Sequence, residues 1–583
     1  MDKIVSVPPN RRALLKTIGV GAAGFASFPL LSACTGVSAQ SAASASASSS
    51  LLPAPPGQIE PLLDRPKVTA ALAWLDGFIR DAMDQTGLPG MAVAVVYQDE
   101  VVYSEGFGVR EVGKPERIGP DTVFLLASVS KPLASTVVAG VVGRQVVNWT
   151  DPVIEHNKSF ALKDDFVTRN ASFADLMAHR SGLKTGAGDL LEDLGFDRAY
   201  ILGHLNQEPL DTFRSSYNYS NFGYTEAGQA AADAMKMTWE DLAEEILFRP
   251  LGMSASSYRH SDYENATDKA SIHVPLGNKQ WSAQFRRNAD SEAPAGGASS
   301  SVRDMAQWLR LQIGNGSYQG KPVIDPAALQ TTHVPHAVSG PALAPAARSH
   351  FYGLGWNVSY DDQARVQLGH SGAFNLGTAT AVAMLPGERL AIVALTNGRP
   401  QGIPEAITSG FLDTAQHGSP TVDWLAFTAG IFNQIYESGK PAIDYAKAPS
   451  APSPARANSA YTGTYDNTYY GPLVVSEQEG KLAMRMGPAG SPTIFPLTHF
   501  DGDTFSFESI GENGNGLAGA LFAEGGDGSS PAVTLDFYDV TGLGNFTRAH
   551  SGAYLRDPAV RREIVTRRSR ALLLGLHAGA SGR

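Results

Sequence analysis

The stretch TVFLLASVSK, residues 122–131, decides the fold and the chemistry that the sequence predicts. An apolar run typical of a strand leads directly into a segment typical of a helix. Ser128 and Lys131 stand three residues apart, so on a helix they would share one face. An ammonium group beside a hydroxyl stabilises its alkoxide, and a desolvated amine can also take the hydroxyl proton. The stretch therefore makes Ser128 a candidate nucleophile, with partial positive charge from the helix start beside it.

Two further polar motifs could complete such a site. Tyr219-x-Asn221 lies in a polar aromatic loop that leads into a predicted helix. A phenol held by a lysine can serve as general base once its pKa falls. His370-x-Gly372 stands just before an apolar strand-like run at 379–384. A strand edge at that place can present backbone N–H groups to an oxyanion.

The composition excludes several other classes of protein. The chain has 583 residues and a formal net charge of −11, whereas a generic nucleic-acid-binding protein is basic. A single Cys excludes an intrachain disulfide and any CxxC metal or redox motif. No run reaches the roughly 20 unbroken apolar residues of a membrane-spanning helix. We therefore expect a globular protein with no nucleic-acid partner.

Residues 1–34 have the pattern of an export signal. Arg11 and Arg12 precede a short Ala/Gly-rich apolar run, which resembles a twin-arginine signal peptide. The run ends in LSAC, which resembles a lipobox with Cys34 as the lipidated residue. The alternative is a leader cleaved nearby, with Cys34 a bystander. The lipobox is favoured because the one Cys of the chain stands there, and Thr35 after it favours outer-membrane sorting in a two-membrane cell. The sequence thus predicts a periplasmic or cell-envelope lipoprotein, partnered with the membrane through its N-terminal anchor.

The rest of the chain divides by composition. An Ala/Ser/Pro-rich tether at 35–61 precedes a predicted α+β domain at 62–440. A Pro/Ala/Ser-rich linker at 441–457 leads to short strands at 458–550, which predict a small antiparallel β-barrel-like domain. Residues 551–583 form a basic tail whose role the sequence does not show.

Three motifs follow one another in a recognisable order: Ser128-x-x-Lys131, Tyr219-x-Asn221 and His370-x-Gly372. This order resembles the β-lactamase-related serine hydrolase family, which contains class C β-lactamases, DD-peptidases, D-aminopeptidases and serine esterases. Segments at 176–183, 294–305 and 352–356 are also similar to that family. The likeness covers about 65–415, and 459–548 resembles the small β-domain often appended to its peptidases and esterases.

The resemblance implies a β-lactamase/transpeptidase-like fold, in which an antiparallel sheet is flanked by helices and joined by a helical subdomain. It also implies that Ser128 attacks the carbonyl and that Lys131 lowers the proton affinity of Ser128 and Tyr219. Tyr219 would then relay the proton to the leaving group and activate the deacylating water.

The remaining motif residues receive binding roles from the resemblance. Asn221 would orient the acyl amide, and the N–H groups of Ser128 and Ala373 would form the oxyanion hole. His370 and Gly372 would line the opposite wall, where many relatives carry Lys in place of the His. Neutral imidazole holds a carboxylate less firmly than ammonium does, which favours peptide, amide or ester substrates over β-lactams. The family works without metal or other cofactor.

Some residues keep two interpretations. Ser181 and Lys184 repeat the Ser-x-x-Lys spacing, but they fall in a turn segment and precede the Tyr motif. His179 is predicted to stabilise that turn rather than to act in catalysis. Tyr352 and Trp356 could line the pocket or belong to the core.

The sequence therefore predicts a serine hydrolase that forms an acyl-enzyme on Ser128. The preferred activity is a peptidase or amidase on D-amino-acid or cell-wall peptides. The alternatives are a carboxylesterase on small acyl esters, a weak β-lactamase, and a penicillin-binding or sensor protein without turnover. A structural cell-envelope protein is disfavoured because every motif residue is intact. The substrate in each enzymatic case is a small-molecule or peptide acyl donor.

Overall fold

The computed structural model describes residues 61–549. The predicted signal peptide with Cys34, nearly all of the tether and the basic tail lie outside the described residues, so the lipid anchor stays a prediction. Within 61–549 we find no helix with the length and apolar character that crossing a membrane requires.

The strands of residues 61–549 are numbered in chain order. They are β1 Gly90–Tyr97, β2 Glu100–Gly108, β3 Phe124–Leu125, β4 Val274–Gly277, β5 Gln280–Ser282, β6 Ser299–Ser300, β7 Ser317–Tyr318, β8 Lys321–Pro322, β9 Ala337–Gly340, β10 His350–Tyr352, β11 Asn357–Tyr360, β12 Val366–Phe374, β13 Thr378–Leu385, β14 Leu390–Thr396, β15 Gly463–Asp466, β16 Leu473–Gln478, β17 Lys481–Met486, β18 Thr493–Pro496, β19 Thr498–Asp501, β20 Thr504–Glu508, β21 Leu517–Phe522, β22 Ala532–Leu535 and β23 Asn545–Arg548.

The α-helices follow the same order. They are α1 Arg65–Thr86, α2 Ser130–Gly143, α3 Asp165–Asn170, α4 Phe173–Met177, α5 Asp189–Asp193, α6 Arg198–His204, α7 Asn221–Met235, α8 Trp239–Ala243, α9 Arg249–Leu251, α10 His260–Asn265, α11 Ala293–Gly296, α12 Val302–Ile313, α13 Pro326–Thr332, α14 Ile403–His417 and α15 Trp424–Ser438.

An eight-stranded antiparallel sheet joins distant parts of the first domain. Its strand order is β2-β1-β14-β13-β12-β11-β10-β9. Val93 of β1 lies opposite Ala394 of β14, so the first hairpin pairs with a strand about 300 residues later. Strand-like runs at 91–97 and 101–104 and again at 379–384 and 390–396, with helices between them, predict such a sheet from the sequence.

The central strands are apolar because helices cover both faces of the sheet. Every residue of β1, β13 and β14 is buried. On one face, α1 packs through Val68, Ala71, Leu75 and Ile79, which recur at helical spacing, and α14 lies beside it. On the other face, α12 packs on β1 and β14 and borders the helical subdomain, which comprises α2 to α9 between residues 130 and 251. The sheet is thus a rigid platform whose strand β12 borders the site.

A second antiparallel sheet forms the C-terminal domain. Its nine strands follow the order β18-β17-β16-β15-β23-β22-β21-β20-β19, and β18 at one edge approaches β20 near the other edge. The sheet therefore nearly closes into a barrel, around a core that includes Tyr461, Tyr465, Phe505 and Phe522. Hydrogen bonds also tie this sheet to the helical subdomain, one of them from the Tyr469 hydroxyl to Glu208 Oε1 at 2.5 Å.

Candidate active site

Ser128 lies in a single 3-10 turn, Ala127–Val129, between β3 and α2. It therefore precedes the α-helix on which the sequence analysis placed it. Ala127 has a φ of 47°, a left-handed conformation that a residue with a Cβ adopts only at a cost. The turn is fixed because Leu126 N–H donates to Ala298 O at 2.8 Å and Leu126 O accepts from Thr380 Oγ1 at 2.7 Å.

Lys131 is completely buried beside Ser128, in the first turn of α2. Its Nζ contacts three oxygens: Ser128 Oγ at 3.1 Å, Asn221 Oδ1 at 2.8 Å and Ala295 O at 3.0 Å. Burial lowers the pKa of Lys131 to about 7, although the nearby carboxyl groups of Glu292 and Asp189 oppose this shift. Near neutral pH, Lys131 can therefore be present as a free amine.

The three contacts of Lys131 suit a proton acceptor. The Asn221 and Ala295 oxygens can only accept, so they take two N–H groups of the amine. The third direction of Nζ points at Ser128 Oγ and carries either a proton or the lone pair. When Lys131 is neutral, that lone pair faces the hydroxyl proton of Ser128.

Tyr219 contributes a partly buried ring next to Lys131. The lysine Nζ lies 4.4 Å from the ring centroid, over its face. Burial raises the pKa of Tyr219 well above its ordinary value, and the Ser128 hydroxyl offsets only part of that rise. The sequence interpretation of Tyr219 as a base required a lowered pKa, so the structure differs from it in direction. The physical reason is the burial of the phenol.

His179 holds the tyrosine in place. Its ring packs on Tyr219 at 4.4 Å between centroids, and its Nδ1 accepts the Ser220 N–H at 3.2 Å. His179 itself adopts a left-handed φ of 56° in the turn after α4. These contacts fit the predicted turn-stabilising role. Lys184, which with Ser181 repeats the Ser-x-x-Lys spacing, instead forms an ion pair at the surface, with 3.5 Å between its Nζ and Asp211 Oδ1.

Asn221 opens helix α7 directly after the loop that carries Tyr219. The helix is capped by Ser220, whose Oγ accepts the Gly223 N–H at 3.1 Å. While Asn221 Oδ1 accepts from Lys131, its Nδ2 faces the carboxyl group of Asp189 at 3.4 Å. Burial raises the pKa of Asp189 to about 7, with further contributions from Glu192 and Asp193.

His370 on β12 forms the opposite wall. Its Nε2 lies 2.9 Å from the Tyr352 hydroxyl and its Nδ1 lies 2.7 Å from Ser371 O. Burial and the charge of Lys131 lower the pKa of His370 to about 3, so the imidazole is neutral. Tyr352 therefore supports the wall of the site, whereas Trp356 stacks on Trp308 in the core, at 5.5 Å between centroids.

Gly372 allows the turn of Ser128 to lie on β12. A Cβ at this position would come within 2.2 Å of Leu126 O, 2.2 Å of Thr380 Oγ1 and 3.1 Å of Ser128 N. The close approach brings the backbone of Ser128 next to that of Ala373, the residue after the glycine. Strand and turn can thus present two N–H groups to one oxygen atom.

A cleft of about 450 Å³ opens over these residues, within the usual size of small-ligand pockets. Of the predicted residues, Ser128, Tyr219, Asn221, His370 and Ala373 line it. Lys131 and Gly372 lie behind the lining and support it. We find no group of three or more side chains placed to hold a metal ion in the part of the chain that the structure describes.

The cleft also contains charged residues that the sequence analysis did not identify. They are Asp189, Glu192, Arg287, Glu292 and Glu512. Arg287 donates to Glu192 and Glu292, each at 2.7 Å. No motif marked them, because they come from helix α5, from the segment before α11 and from the C-terminal domain. The contact of Ala295 with Lys131 did have a sequence signal, the family-like segment at 294–305.

Exchanging Gly372 for alanine tests the close approach of the turn to β12. The added Cβ would collide with Leu126 O and Thr380 Oγ1, so Gly372→Ala should lower the free energy of unfolding by about 1–3 kcal/mol. Urea denaturation measures this change. Gly387→Ala is the matched control, because a Cβ there meets nothing within 4 Å. Equal unfolding midpoints for the two variants would contradict this packing of turn on strand.

The chain is similar to known protein families and to several known proteins. The family model described as Beta-lactamase matches residues 75–409, and a domain of unknown function, DUF3471, matches 447–544. An unguisins hydrolase of Aspergillus campestris is 24% identical over 72% of this chain and 80% of its own length. Beta-lactamase-like protein 2 of Dictyostelium discoideum is 22% identical over 75% of this chain and 78% of its own length.

A solved structure shows the same fold. The octameric penicillin-binding protein homologue from Pyrococcus abyssi aligns with a TM-score of 0.51 and 17% identity, over 80% of this chain and 98% of that one. The predicted fold class is confirmed, both for the helix-flanked sheet and for the barrel-like C-terminal sheet. Because the family model spans more than half of the sequence, the chain belongs to the Beta-lactamase family of β-lactamase-fold serine hydrolases.

Proposed function

We propose that this protein forms an acyl-enzyme on Ser128 and acts as a peptidase or amidase on D-amino-acid or cell-wall peptides. The observation that carries the proposal is the contact of a buried amine, Lys131 Nζ, with the hydroxyl of Ser128 at 3.1 Å. A nucleophile beside a base of lowered pKa is the arrangement that covalent catalysis needs. One relative is an unguisins hydrolase, which supports a hydrolytic activity.

In the proposed acylation step, neutral Lys131 takes the proton of Ser128 while Oγ bonds to the substrate carbonyl carbon. The N–H groups of Ser128 and Ala373 receive the negative charge that develops on the carbonyl oxygen. Tyr219, whose raised pKa keeps the phenol protonated, donates a proton to the leaving group as the carbonyl–heteroatom bond breaks. Lys131 supplies the replacement proton to the phenol, and water then releases the acyl group by the reverse path.

The wall at His370 favours particular substrates. Its imidazole is neutral and already hydrogen-bonded to the Tyr352 hydroxyl, so it offers no positive charge to a substrate carboxylate. This observation favours amides and esters without a carboxylate at that wall, and it makes a carboxylesterase the second candidate. It disfavours efficient hydrolysis of β-lactams, which carry such a carboxylate. The proposal also includes export and anchoring through Cys34, which rest on the sequence pattern.

A panel of three substrates tests the activity. A D-alanyl-D-alanine peptide with an amidated C-terminus, which carries no carboxylate, is compared at equal enzyme concentration with a p-nitrophenyl ester of a short acid and a chromogenic cephalosporin. We expect the highest kcat/KM on the peptide, the next on the ester and at least a tenfold lower value on the cephalosporin. Ser128→Ala should lose all three activities. Turnover of any substrate by Ser128→Ala at the wild-type rate would disprove the acyl-enzyme, and a burst without turnover on all three would indicate a sensor.

The pH dependence tests Lys131 as the proton acceptor. Its lowered pKa means that the amine is charged below about pH 7 and neutral above it, so acylation should rise about tenfold per pH unit below pH 7 and level off above pH 8. The burst rate with p-nitrophenyl acetate between pH 5.5 and 8.5 measures this. Lys131→Arg, which stays charged, should lose the burst.

A second variant tests whether Lys131 or the neighbouring Asp189 causes the pH dependence. Asp189 has a raised pKa of about 7 and faces the same cleft. Asp189→Asn removes a negative charge that favours protonated Lys131, so the profile should keep its rise and move to lower pH. A rise that disappears in Asp189→Asn would assign the titration to the carboxyl group and contradict the role of Lys131.

A further inference from the structure

A loop of the C-terminal domain forms part of the catalytic cleft. The loop connects β20 with β21 and comprises residues 509–516. Two of its residues, Glu512 and Asn513, line the same cleft as Ser128. The loop lies about 380 residues after the nucleophile in the sequence, and neither the hydrolase motifs nor the composition of the barrel predicted it there.

The loop is fixed to both walls of the cleft. On the helical wall, Asp193 at the end of α5 accepts the Glu512 N–H at 2.7 Å and the Asn513 side-chain amide at 2.9 Å. On the sheet wall, the Glu512 carboxylate accepts the N–H groups of Asn375 and Leu376, just after β12. These bonds cross from one wall to the other, so the loop closes that end of the cleft.

The register of β12 shows what the closure blocks. Strand β11 pairs only with Val366–Gly369, so the edge of β12 after Gly369 faces the cleft. Phe374 O accepts the Gly377 N–H on the β13 side, so its backbone points away from the cleft. Because backbone direction alternates along a strand, Ser371 and Ala373 turn their N–H groups toward the cleft, and the N–H of Asn375 just after the strand points to Glu512. The Glu512 carboxylate accepts the N–H of Asn375, the last of these three donors.

The blocked end is the acyl side of the substrate. This step rests on the proposed function and on the role that the family resemblance implies for Asn221, which is to orient the acyl amide. Asn221 Nδ2 faces Asp189, the first residue of the short helix α5 whose last residue, Asp193, holds the loop. An acyl chain that passes Asn221 therefore extends toward Glu512. Asn375 follows Ala373 by two residues, which span at most about 7 Å of backbone.

We infer that the loop 509–516 limits the acyl part of the substrate to about two residues, or an aliphatic chain of equal length. The enzyme then acts at the acyl end of a short donor and not within a long chain. Glu512 is the specificity-determining residue, because its carboxylate fills the backbone edge along which a longer acyl chain would continue. The C-terminal domain thereby selects the substrate of the hydrolase domain.

Chain-length profiles test this inference. The probes are p-nitrophenyl acetate, butyrate and octanoate, and the readout is the ratio of kcat/KM for octanoate to that for butyrate. In the wild type we expect a ratio below about one tenth. In Glu512→Ala, and in a variant whose residues 511–515 are replaced by two glycines, we expect the ratio to rise at least tenfold. Glu508→Ala is the matched control, since Glu508 is an exposed carboxylate on β20 of the same domain.

The outcomes separate this inference from the proposed function. A rise of the ratio in either loop variant, with the Glu508→Ala ratio unchanged, supports the inference. Ratios within twofold of the wild type in both loop variants overturn it, even where Ser128→Ala abolishes all ester hydrolysis. Ester hydrolysis that survives Ser128→Ala is instead a failure of the proposed function. Thermal unfolding midpoints close to the wild type exclude misfolding as the cause of any change.

Discussion

The burial of one amine beside one hydroxyl is the interaction on which the site depends. Lys131 has no exposure to water, and a buried ammonium is costly unless its N–H groups are all bonded. Asn221 and Ala295 provide two acceptors from two other elements, so the amine holds helix α7 and the segment at α11 against α2. The same burial lowers the pKa of Lys131, so structural cohesion and chemical reactivity have one physical cause.

The close contact of turn and strand completes this arrangement. Gly372 removes the one side chain that would separate Ser128 from β12, and Thr380 on the neighbouring strand bonds to the turn. The strained φ of Ala127 is maintained by these contacts. Sheet, turn and helix therefore support one another, and the C-terminal domain adds a fourth support through Glu512 at the end of β12.

Sequence reasoning predicted the parts of the structure that have local signals. The motif residues Ser128, Lys131 and Tyr219 could be named because their types and order are informative, and the sheet followed from apolar runs at both ends of the domain. In the C-terminal domain the strand-like runs at 461–465, 473–475, 481–484, 504–507 and 533–537 predict five of the nine strands. The strand β21, LAGALF, is rich in Ala and Gly, so it has little intrinsic β-propensity and forms through its neighbours. The charged residues of the cleft and the loop of Glu512 were missed because only tertiary packing brings them together. The direction of the Tyr219 pKa shift was missed for the same reason.

The most direct test of the account is the position of the covalent adduct. The full chain is treated with a fluorophosphonate probe, digested and sequenced by tandem mass spectrometry. We expect one modified residue, Ser128, and modification that falls at least a hundredfold in Lys131→Met because no base then takes the hydroxyl proton. An adduct on another serine, such as Ser181 or Ser371, or equal modification of Ser128 without Lys131, would contradict it.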